Sequence, residues 1–558
     1  MSMQKTKYSG RINRLKTEQT FSGISPREVY EKEDIAAFED EIGKVAEYPY
    51  TRGKYPRGYR HKLWLRQQAF GFISAEESQK YLKYLLDKGL QELRFSPDNF
   101  NLAGVDPDHP IVEGTIGFVG IPVYSIYQME KVLTDIKLEE VFVDFNGAVT
   151  VDDALKYAML IGVAERRGVH LSDLRGAMVN DPLHAYAFET NPAPLNFEVP
   201  WKLTMDAIEY SAKYTPHFHP VVPCGYNMSE NGINCMQELA FIICIRMEYI
   251  NAAMARGLSF DSVGPEIPLE FACEIDFFET ICKIRAARRM WAKLSKERYG
   301  AKTLREMTAP ASVQLAGSSM IKNQPLFNII RLTSETISAV LAGVQAIQLI
   351  GFDEPLAIIS YDGGLINAGI EEIVAHETGI PLVVDPLGGS YYVEWLTKKI
   401  EDEAWKIIDH IEKAGGFRKA FEKGIIQGEI RKSIIERQKR IDKKRIIKVC
   451  ENEFQHLAEE EIPIRTLEYK DPAKNSGKIL AEFHEFKRFR NIKKVRNALA
   501  KIKKAVKNGE NVIEPIKEAY KADATMGETV GVLNESMGYG YDPFGMIQRP
   551  EFLNNLKP

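Results

Sequence analysis

A ten-residue segment near the middle of the chain carries several polar side chains between an apolar stretch and a long helical one. It reads Pro223-Cys-Gly-Tyr-Asn-Met-Ser-Glu-Asn-Gly232, after the apolar residues 221–222 and before a helical pattern that starts at Met236. Such a strand-to-helix junction lets a rigid sheet hold polar groups over a pocket. We expect Tyr226 and Asn227 to lie at the carboxyl end of the strand. For this segment taken alone, an ordinary polar loop is the more common explanation.

Polar residues also follow other predicted strands. Glu354 comes just after the seventh predicted strand, Gln314 and Gly317 come at the end of the sixth, and Asn180 follows the third. The carboxyl ends of barrel strands form one rim, which is where barrel enzymes place their catalytic groups. We therefore expect these residues to share that rim.

The elements that must position these residues alternate along the chain. The predicted strands are 91–96, 140–146, 175–179, 220–226, 267–274, 310–316, 345–351 and 380–385. The predicted helices are 75–89, 125–137, 151–167, 201–214, 232–256, 276–299, 324–343, 366–378 and 390–413. Ser74 starts a capping box, and Gly168, Gly300 and Gly415 fall where helices should end. Eight strands, each followed by a helix, predict a (βα)₈ TIM barrel, with a doubly wound open sheet as the alternative.

Three regions follow from this pattern. Residues 1–60 form an N-terminal extension that lies on another surface, for example another subunit, and ends in an ordered, extended arm. Residues 61–415 form the barrel, and residues 416–558 form a C-terminal helical region. In that region, 417–447 and 478–508 are basic, but apolar residues at helical spacing favour a solvated outer face over a nucleic-acid site.

The composition is that of a globular protein without a strong charge bias. The chain has 558 residues, of which 44% are hydrophobic and 27% charged, and a formal net charge of −4. This balance does not favour nucleic-acid or membrane binding by the whole protein. No apolar run reaches the length of about 18 residues typical of a membrane span, and the six widely spaced cysteines indicate buried thiols in a reducing compartment. We predict a cytoplasmic protein.

Common nucleotide, metal and nucleophile motifs are absent from the sequence. It contains no Walker A loop, no paired CxxC, no HExxH and no GxSxG. His217 and His219 share one face of a strand, but the same stretch offers no acidic third ligand. We therefore predict no metal site in this chain.

Several segments together resemble the methylmalonyl-CoA mutase family of coenzyme B12-dependent acyl-CoA mutases. Their order matches along residues 48–415, with weaker similarity to the end of the chain. The matching segments are Tyr48-Pro-Tyr-Thr-Arg-Gly-Lys-Tyr-Pro-Arg-Gly-Tyr59, Ala75-Glu-Glu-Ser78, Asp106-Pro-Asp-His-Pro110, Asn146-Gly-Ala148, Gly225-Tyr226 with Glu230, Arg285-Ala-Ala-Arg288, Trp291-Ala-Lys293 and Asp385-Pro-Leu-Gly-Gly-Ser-Tyr-Tyr-Val-Glu394.

The resemblance implies a barrel that threads the pantetheine of an acyl-CoA along its axis beneath a cobalamin-binding domain. In the family that domain carries Asp-x-His-x-x-Gly, whose histidine is the lower ligand of cobalt. None of the ten histidines here lies in such a motif. The resemblance therefore implies adenosylcobalamin as cofactor, a separate small cobalamin-binding subunit, and a homodimer of this chain within a heterotetramer.

The resemblance also assigns roles to individual positions. The catalytic positions are Tyr226, Asn227 and Gln314, and the cofactor-facing positions are Glu230, Gly317 and Glu354, the last on the adenosyl ribose. The substrate and CoA positions are Tyr55, Lys62, Arg66, Gln68, Ala69, Val179, Glu189, Arg285 and Ser312. Around Arg66 the alignment has two registers, so either Gln68 or Ala69 replaces an aromatic residue beside the substrate.

Several of these positions depart from the family pattern. Asn227 replaces a histidine that hydrogen-bonds the thioester carbonyl, and asparagine is not an acid near pH 7. Glu189 replaces the arginine that grips the free carboxylate of methylmalonyl-CoA. Lys62 replaces an arginine at the CoA phosphates, Val179 a glutamine, and Ser312 a histidine.

These features predict an adenosylcobalamin-dependent acyl-CoA carbon-skeleton mutase whose substrate has no free carboxylate at Glu189. Isobutyryl-type, 2-hydroxyisobutyryl-type and bulkier branched acyl-CoA thioesters are the candidates. Two alternatives stay open at this point. The first alternative is a mutase-fold scaffold that has lost catalysis. The second is a methylmalonyl-CoA mutase with a rearranged site.

Overall fold

Eight parallel strands form a single sheet in the computed structural model, which describes residues 19–71, 73–147, 151–188, 196–357, 359–459, 462–464 and 472–554. The strands are β1 (Leu65–Phe70), β2 (Glu92–Phe95), β3 (Phe142–Phe145), β4 (Arg175–Met178), β5 (Phe218–His219), β6 (Leu269–Cys273), β7 (Ala311–Leu315) and β8 (Ala346–Gln348).

The strand order closes the sheet into a barrel. The order is β5-β4-β3-β2-β1-β8-β7-β6, so consecutive strands pair except β5 with β6, and β1 pairs with β8. The extended chain after β5 then joins β6 through a parallel bridge between Cys224 and Glu270. The Gly225 amide donates to the Glu270 carbonyl at 2.7 Å, and the Glu270 amide donates to the Pro223 carbonyl at 3.1 Å. The barrel prediction is confirmed, and the doubly wound alternative is wrong.

The number of strands is right, but one predicted strand is absent, one observed strand was missed and one is displaced. In place of the predicted strand 220–226, β5 lies at Phe218–His219 and is followed by extended chain with a single bridge at Cys224. Residues 380–385 form no strand; a 3₁₀ turn at Ile380–Leu382 follows Gly379, and the apolar side chains of Ile380, Val383 and Val384 line the mouth of a cavity. The missed strand is β1, whose polar sequence hid it. Two of its side chains face a polar barrel interior, which the apolar pattern of an ordinary core strand does not anticipate.

Helices surround the barrel much as predicted. The Ser74 hydroxyl accepts a hydrogen bond from the Glu77 amide, and Gly300 and Gly415 end their helices in left-handed conformations. The longer helices between and after the strands are Ala75–Asp87, Ile126–Val132, Asp152–Arg166, Glu198–Tyr214, Cys235–Ala255, Phe277–Tyr299, Phe327–Ala342, Tyr361–His376 and Tyr391–Ala414.

The C-terminal helices share their hydrophobic cores with the barrel. Leu499, Tyr520 and Val530 lie in the same buried cluster as Phe95 and Phe145 of the barrel strands. In Ile492–Lys507 the apolar stripe is buried and most of the lysines are exposed, as the sequence pattern predicts. The helices are Phe417–Glu422, Ile425–Asp442, Pro472–Phe489, Ile492–Lys507, Ile513–Lys521 and Met526–Ser536.

The described part of the N-terminal extension packs on the barrel of its own chain. The Ser22 hydroxyl donates to Glu279 at 2.8 Å, and Arg52 in the arm pairs with Asp385 at 2.8 Å. The Tyr59 hydroxyl donates to the Val344 carbonyl at 2.7 Å, which holds the arm across the amino-terminal end of the strands. All six cysteines are buried free thiols. Within the described ranges, no helix combines the length and apolar character needed to cross a membrane.

Candidate active site

A cavity of about 380 Å³ runs from the N-terminal arm into the barrel. Its walls are the arm residues 52–63 at one end and, deeper in, side chains on the inner faces of the strands. It extends along β4 as far as Val179, at the carboxyl end of that strand. The barrel interior is therefore a channel along the axis, where most barrels of this class have tightly packed apolar layers.

The mouth of the cavity is cationic. Arg52, Lys54, Lys62 and Arg288 line it, together with Tyr55. Burial, followed by the positive charges of Arg246 and Arg288, lowers the pKa of Lys54 to about 8. Among the described residues, no carboxylate lies within ion-pair distance of the Lys54 ammonium. The predicted CoA positions Tyr55 and Lys62 thus lie in a mouth suited to anionic groups.

The alternation of side chains along β1 decides whether Gln68 or Ala69 faces the channel. Leu65 and Gln67 line the cavity, so Ala69 has the same inward direction. Gln68 points to the opposite face, where its amide donates to the Tyr81 hydroxyl at 3.0 Å. Arg66 also points outward and pairs with Glu372. Ala69 is therefore the member of this stretch that the structure places on the channel side.

Two further predicted substrate positions, Val179 and Ser312, line the cavity. Gln314 lies two residues beyond Ser312 on the same face of β7 and is buried. It stands in register with Gln348 of β8. The inner wall is polar on this side of the barrel.

At the carboxyl-terminal rim, segments after β5 and β7 come together. A β-carbon placed on Gly317 would lie 3.0 Å from the Tyr226 hydroxyl and 3.4 Å from a carboxylate oxygen of Glu230. Glu230 accepts hydrogen bonds from the Ser318 amide at 2.9 Å and the Ser318 hydroxyl at 3.0 Å. Tyr226 also packs against the buried pair formed by Val179 and Cys224, so this rim cluster adjoins a residue pair of which Val179 lines the cavity. The structure thus brings together three of the predicted positions.

Glu354 completes this rim cluster and follows β8, the observed strand that corresponds to the seventh predicted one, 345–351. Its side chain is reachable by solvent, yet the many protein atoms around it desolvate the carboxylate. This desolvation, with smaller contributions from the charges of Asp353 and Glu230, raises the pKa of Glu354 to about 7. Burial, followed by the charges of Glu230 and Glu354, raises the pKa of Tyr226. The rim therefore holds weakly acidic groups close to one another.

Tyr226 and Asn227 do not lie at the end of a strand as expected. They begin a short helix, Tyr226–Glu230, which follows the bridge at Cys224. The helix Ile425–Asp442 packs over this segment: Arg437 donates to the Ser229 carbonyl at 3.1 Å, and Ser433 donates to the Gly232 carbonyl at 3.1 Å. This support could not be predicted from the local sequence, because it comes from a helix about two hundred residues away.

The predicted CoA position Arg285 is not brought into the channel. The Arg285 guanidinium is fully buried between Asp385 and Glu394 and does not line the cavity. Glu189 lies outside the described residues. Their assigned roles remain predictions.

Four charged residues of the channel wall were not singled out in the sequence. Glu92, Arg94, Asp144 and Glu270 all line the cavity. The available signal was the presence of charged residues inside three predicted strands: Glu92 and Arg94 in 91–96, Asp144 in 140–146 and Glu270 in 267–274. Such residues in a packed core would be costly, so they mark a polar cavity.

The fold and this channel define a (βα)₈ barrel protein with an open cavity along its axis. The family model for methylmalonyl-CoA mutase matches residues 19–539. The chain belongs to the methylmalonyl-CoA mutase family, as the sequence motifs predicted, and mutases of this kind are isomerases.

Named relatives show how far the similarity extends. The chain is 32% identical over 524 residues to the 2-hydroxyisobutanoyl-CoA mutase large subunit of Aquincola tertiaricarbonis, covering 93% of this chain and 92% of that protein. Over 528 residues it is 31% identical to the methylmalonyl-CoA mutase of Rhizobium meliloti (strain 1021) and 30% identical to the mitochondrial methylmalonyl-CoA mutase of Homo sapiens. These alignments cover 93% of this chain and 72% and 68% of those proteins.

Proposed function

We propose that this chain is the barrel subunit of an adenosylcobalamin-dependent mutase that rearranges the carbon skeleton of an acyl-CoA thioester. The axial cavity carries the proposal, because it leads from a cationic mouth to Val179, which with Cys224 forms the buried pair that Tyr226 packs against. A CoA thioester has the matching form: anionic phosphates at one end, then a narrow tail with two amides, then the reacting acyl group. The family membership supports the same reaction class.

Residues at the two ends of the channel would have different roles. Lys54, Lys62 and Arg288 at the mouth would hold the phosphates. Tyr226 at the other end would shield the acyl group from water and keep it in place. Asn227 would donate its amide hydrogen to the thioester carbonyl, orienting it without transferring a proton.

The rim fits a large cofactor face. Gly317 carries no side chain where one would press on Tyr226, and Glu354 keeps a solvent-reachable carboxylate that can accept hydrogen bonds from ribose hydroxyls. When bound, adenosylcobalamin supplies the radical that starts the rearrangement. The chain's own part is to position the substrate beneath the rim and to exclude water.

A separate small subunit would bring the cobalamin. The support is the relative named a large subunit, which this chain matches over 92% of that protein, together with the lack of Asp-x-His-x-x-Gly in the sequence. In this arrangement two copies of the chain pair within a cytoplasmic heterotetramer.

The substrate would lack a second carboxylate. Glu189 stands where the family resemblance expects an arginine, and a carboxylate there repels an anionic acyl group. Isobutyryl-CoA, 2-hydroxyisobutyryl-CoA and bulkier branched thioesters are the candidates.

Reconstitution tests the proposal. The purified chain is mixed with a cobalamin-binding small subunit and adenosylcobalamin, and turnover of an acyl-CoA panel that includes methylmalonyl-CoA is followed by mass spectrometry. We expect conversion of at least one branched thioester, and Glu354→Gln to reduce it about tenfold through a lost charged hydrogen bond. Glu377→Gln, at an exposed helix end, is the matched control.

Each negative outcome has a distinct meaning. Conversion of methylmalonyl-CoA would overturn the proposal that the substrate lacks a second carboxylate, but it would support the proposed mutase reaction. Absence of turnover in both the natural chain and Asn227→His, with the complex assembled, would leave the protein a scaffold.

A further inference from the structure

Four charged residues form a ring in the wall of the axial cavity, between its mouth and the rim cluster. We call Glu92, Arg94, Asp144 and Glu270 the lumen collar. Each lines the cavity, and none is more than 3% exposed. They come from β2, β3 and β6, so the collar spans the interior of the barrel. Charged groups in the wall of a ligand channel act on whatever occupies that channel.

The single cation of the lumen collar is already occupied. The Arg94 guanidinium donates to the two carboxylate oxygens of Glu270 at 2.6 and 2.8 Å and to the Asn146 side chain at 3.0 Å. Its third nitrogen lies 3.2 Å from Asp144. The collar therefore has one guanidinium for three carboxyl groups, and that guanidinium is not free to grip an anionic ligand.

The groups left over are hydrogen-bond acceptors. Burial, followed by the charge of Asp144, raises the pKa of Glu92 well above its usual value. With a proton held on Glu92, the Asp144 carboxylate and the other carboxyl oxygens of the collar remain acceptors. Gln67 lines the same cavity, is 5% exposed, and donates to Glu92. Its own amide oxygen has no hydrogen-bond partner in the described part of the chain.

We propose that the lumen collar selects the ligand by its hydrogen-bonding character: it accepts neutral donors in the barrel and excludes an acyl group that carries a second carboxylate. The inference rests on the proposed function and deepens it by naming the substrate class. A buried acceptor such as the Gln67 carbonyl gains a partner from an amide N–H or a hydroxyl. A buried carboxylate beside Asp144 and Glu92 would find no partner and would be repelled.

The hydrogen-bond donor that the collar accepts could belong to either of two parts of the ligand, and one binding experiment distinguishes them. The amides of pantetheine are present in every CoA compound, whereas a hydroxyl belongs only to a hydroxyacyl group. The purified chain is titrated by calorimetry with CoA, isobutyryl-CoA, 2-hydroxyisobutyryl-CoA and succinyl-CoA. We expect succinyl-CoA to bind at least about tenfold more weakly than isobutyryl-CoA, because like charges in contact oppose binding.

Two variants assign this discrimination to the collar. Asp144→Asn and Glu92→Gln should each narrow the difference between succinyl-CoA and isobutyryl-CoA by about fivefold or more. Glu140→Gln, an exposed carboxylate just before the same strand as Asp144, should leave it unchanged. Weaker binding of all four compounds by Asp144→Asn would identify pantetheine as the donor. Weaker binding of only the hydroxyacyl compound would identify the hydroxyl.

Failure of this inference is distinguishable from failure of the proposed function. If the natural chain binds all four compounds but does not discriminate against succinyl-CoA, or if both folded variants keep the full discrimination, the collar does not select. If the natural chain binds none of them while its thermal melt shows an intact fold, the acyl-CoA function itself is overturned and the collar inference with it. If either Asp144→Asn or Glu92→Gln does not fold, the other variant still tests the inference.

Discussion

The Tyr226 hydroxyl lies directly against Gly317, which would place a β-carbon only 3.0 Å from the hydroxyl oxygen. Tyr226 follows β5 and Gly317 follows β7, so the contact joins segments that come after two different strands. The missing side chain leaves room at Gly317 for both the Tyr226 hydroxyl and the Glu230 carboxylate. Gly317 therefore matters for the space it leaves and not for an unusual backbone conformation.

Gly317→Ala should impair function without unfolding the protein. The added methyl group has to displace the Tyr226 hydroxyl by a few tenths of an ångström, and misplacing a group beside the reacting centre lowers turnover, here by about tenfold. The free energy of unfolding should change by no more than about 1 kcal/mol. Steady-state turnover and a thermal melt check this. Gly369→Ala, in an open helical position, is the control, and equal turnover in both variants would contradict the role of Tyr226.

CoA binding should weaken as the pH rises through the pKa of Lys54, which is lowered to about 8. The ammonium form attracts the phosphates, and its fraction falls above that pH, whereas the guanidinium groups at the mouth stay charged. Lys54→Met should bind CoA about tenfold more weakly at pH 7 and lose most of the dependence between pH 7 and 9. Calorimetry at several pH values measures this. Lys399→Met, an exposed lysine on a barrel helix, should behave like the natural chain, and unchanged pH dependence in Lys54→Met would refute the assignment.

Stability should fall as the pH rises above about 5, partly because of Glu371. This carboxyl is buried and accepts a hydrogen bond from the Trp64 indole at 3.1 Å, and burial raises its pKa to about 8. The folded state therefore holds a proton that the unfolded state releases near pH 4.5, so stability is lost between these two values as the pH rises. Glu371→Gln keeps the acceptor but cannot ionise. At pH 8.5 it should be more stable than the natural chain by on the order of 2 kcal/mol, and equal to it near pH 4.

Calorimetric melting temperatures of the two proteins at both pH values test this prediction. Glu372→Gln, the neighbouring and less buried carboxylate that pairs with Arg66, controls for the change of residue type. A Glu371→Gln protein that loses as much stability with pH as the natural chain would show that the carboxyl is ionised in the fold.

The sequence predicted the barrel because its strands and helices keep their separate periodicities. It failed at β1 and at 380–385 for related reasons. The channel makes polar residues such as Gln67 necessary inside a strand, and it makes apolar residues such as Val383 necessary in an exposed loop at the mouth. In both places the usual rule that buried residues are apolar and exposed residues are polar is reversed. Prediction from the hydrophobic pattern depends on that rule.

The sequence predicted which residues belong to the candidate site better than it predicted the contacts that those residues make. The motifs placed Tyr226, Glu230, Gly317 and Glu354 on one rim, and the structure brings them together. The commitment of Arg285 to two carboxylates was not predictable, because its partners lie about a hundred residues further along the chain. Long-range ion pairs leave no local pattern.

Arg94→Met should show whether the lumen collar is built for stability or for selection. The substitution leaves Glu270 and Asp144 as buried carboxylates without their cation, which should lower the free energy of unfolding by about 3–5 kcal/mol. Adding Glu270→Leu removes one of these orphaned groups and should restore much of the loss, since apolar pairs of similar volume replace buried ion pairs well. Urea unfolding of the single and double variants measures both effects.

The double variant then separates the two roles of the collar. If the collar only stabilises the barrel, the restored protein should discriminate among CoA thioesters as the natural chain does. If the collar selects, the restored protein should be stable but should discriminate against succinyl-CoA more strongly than the natural chain, because Asp144 and Glu92 remain without the cation that offsets their charge. We expect the second result, because a purely structural need in this wall could be met by apolar side chains, and buried charges are retained at such a cost where a ligand must be recognised.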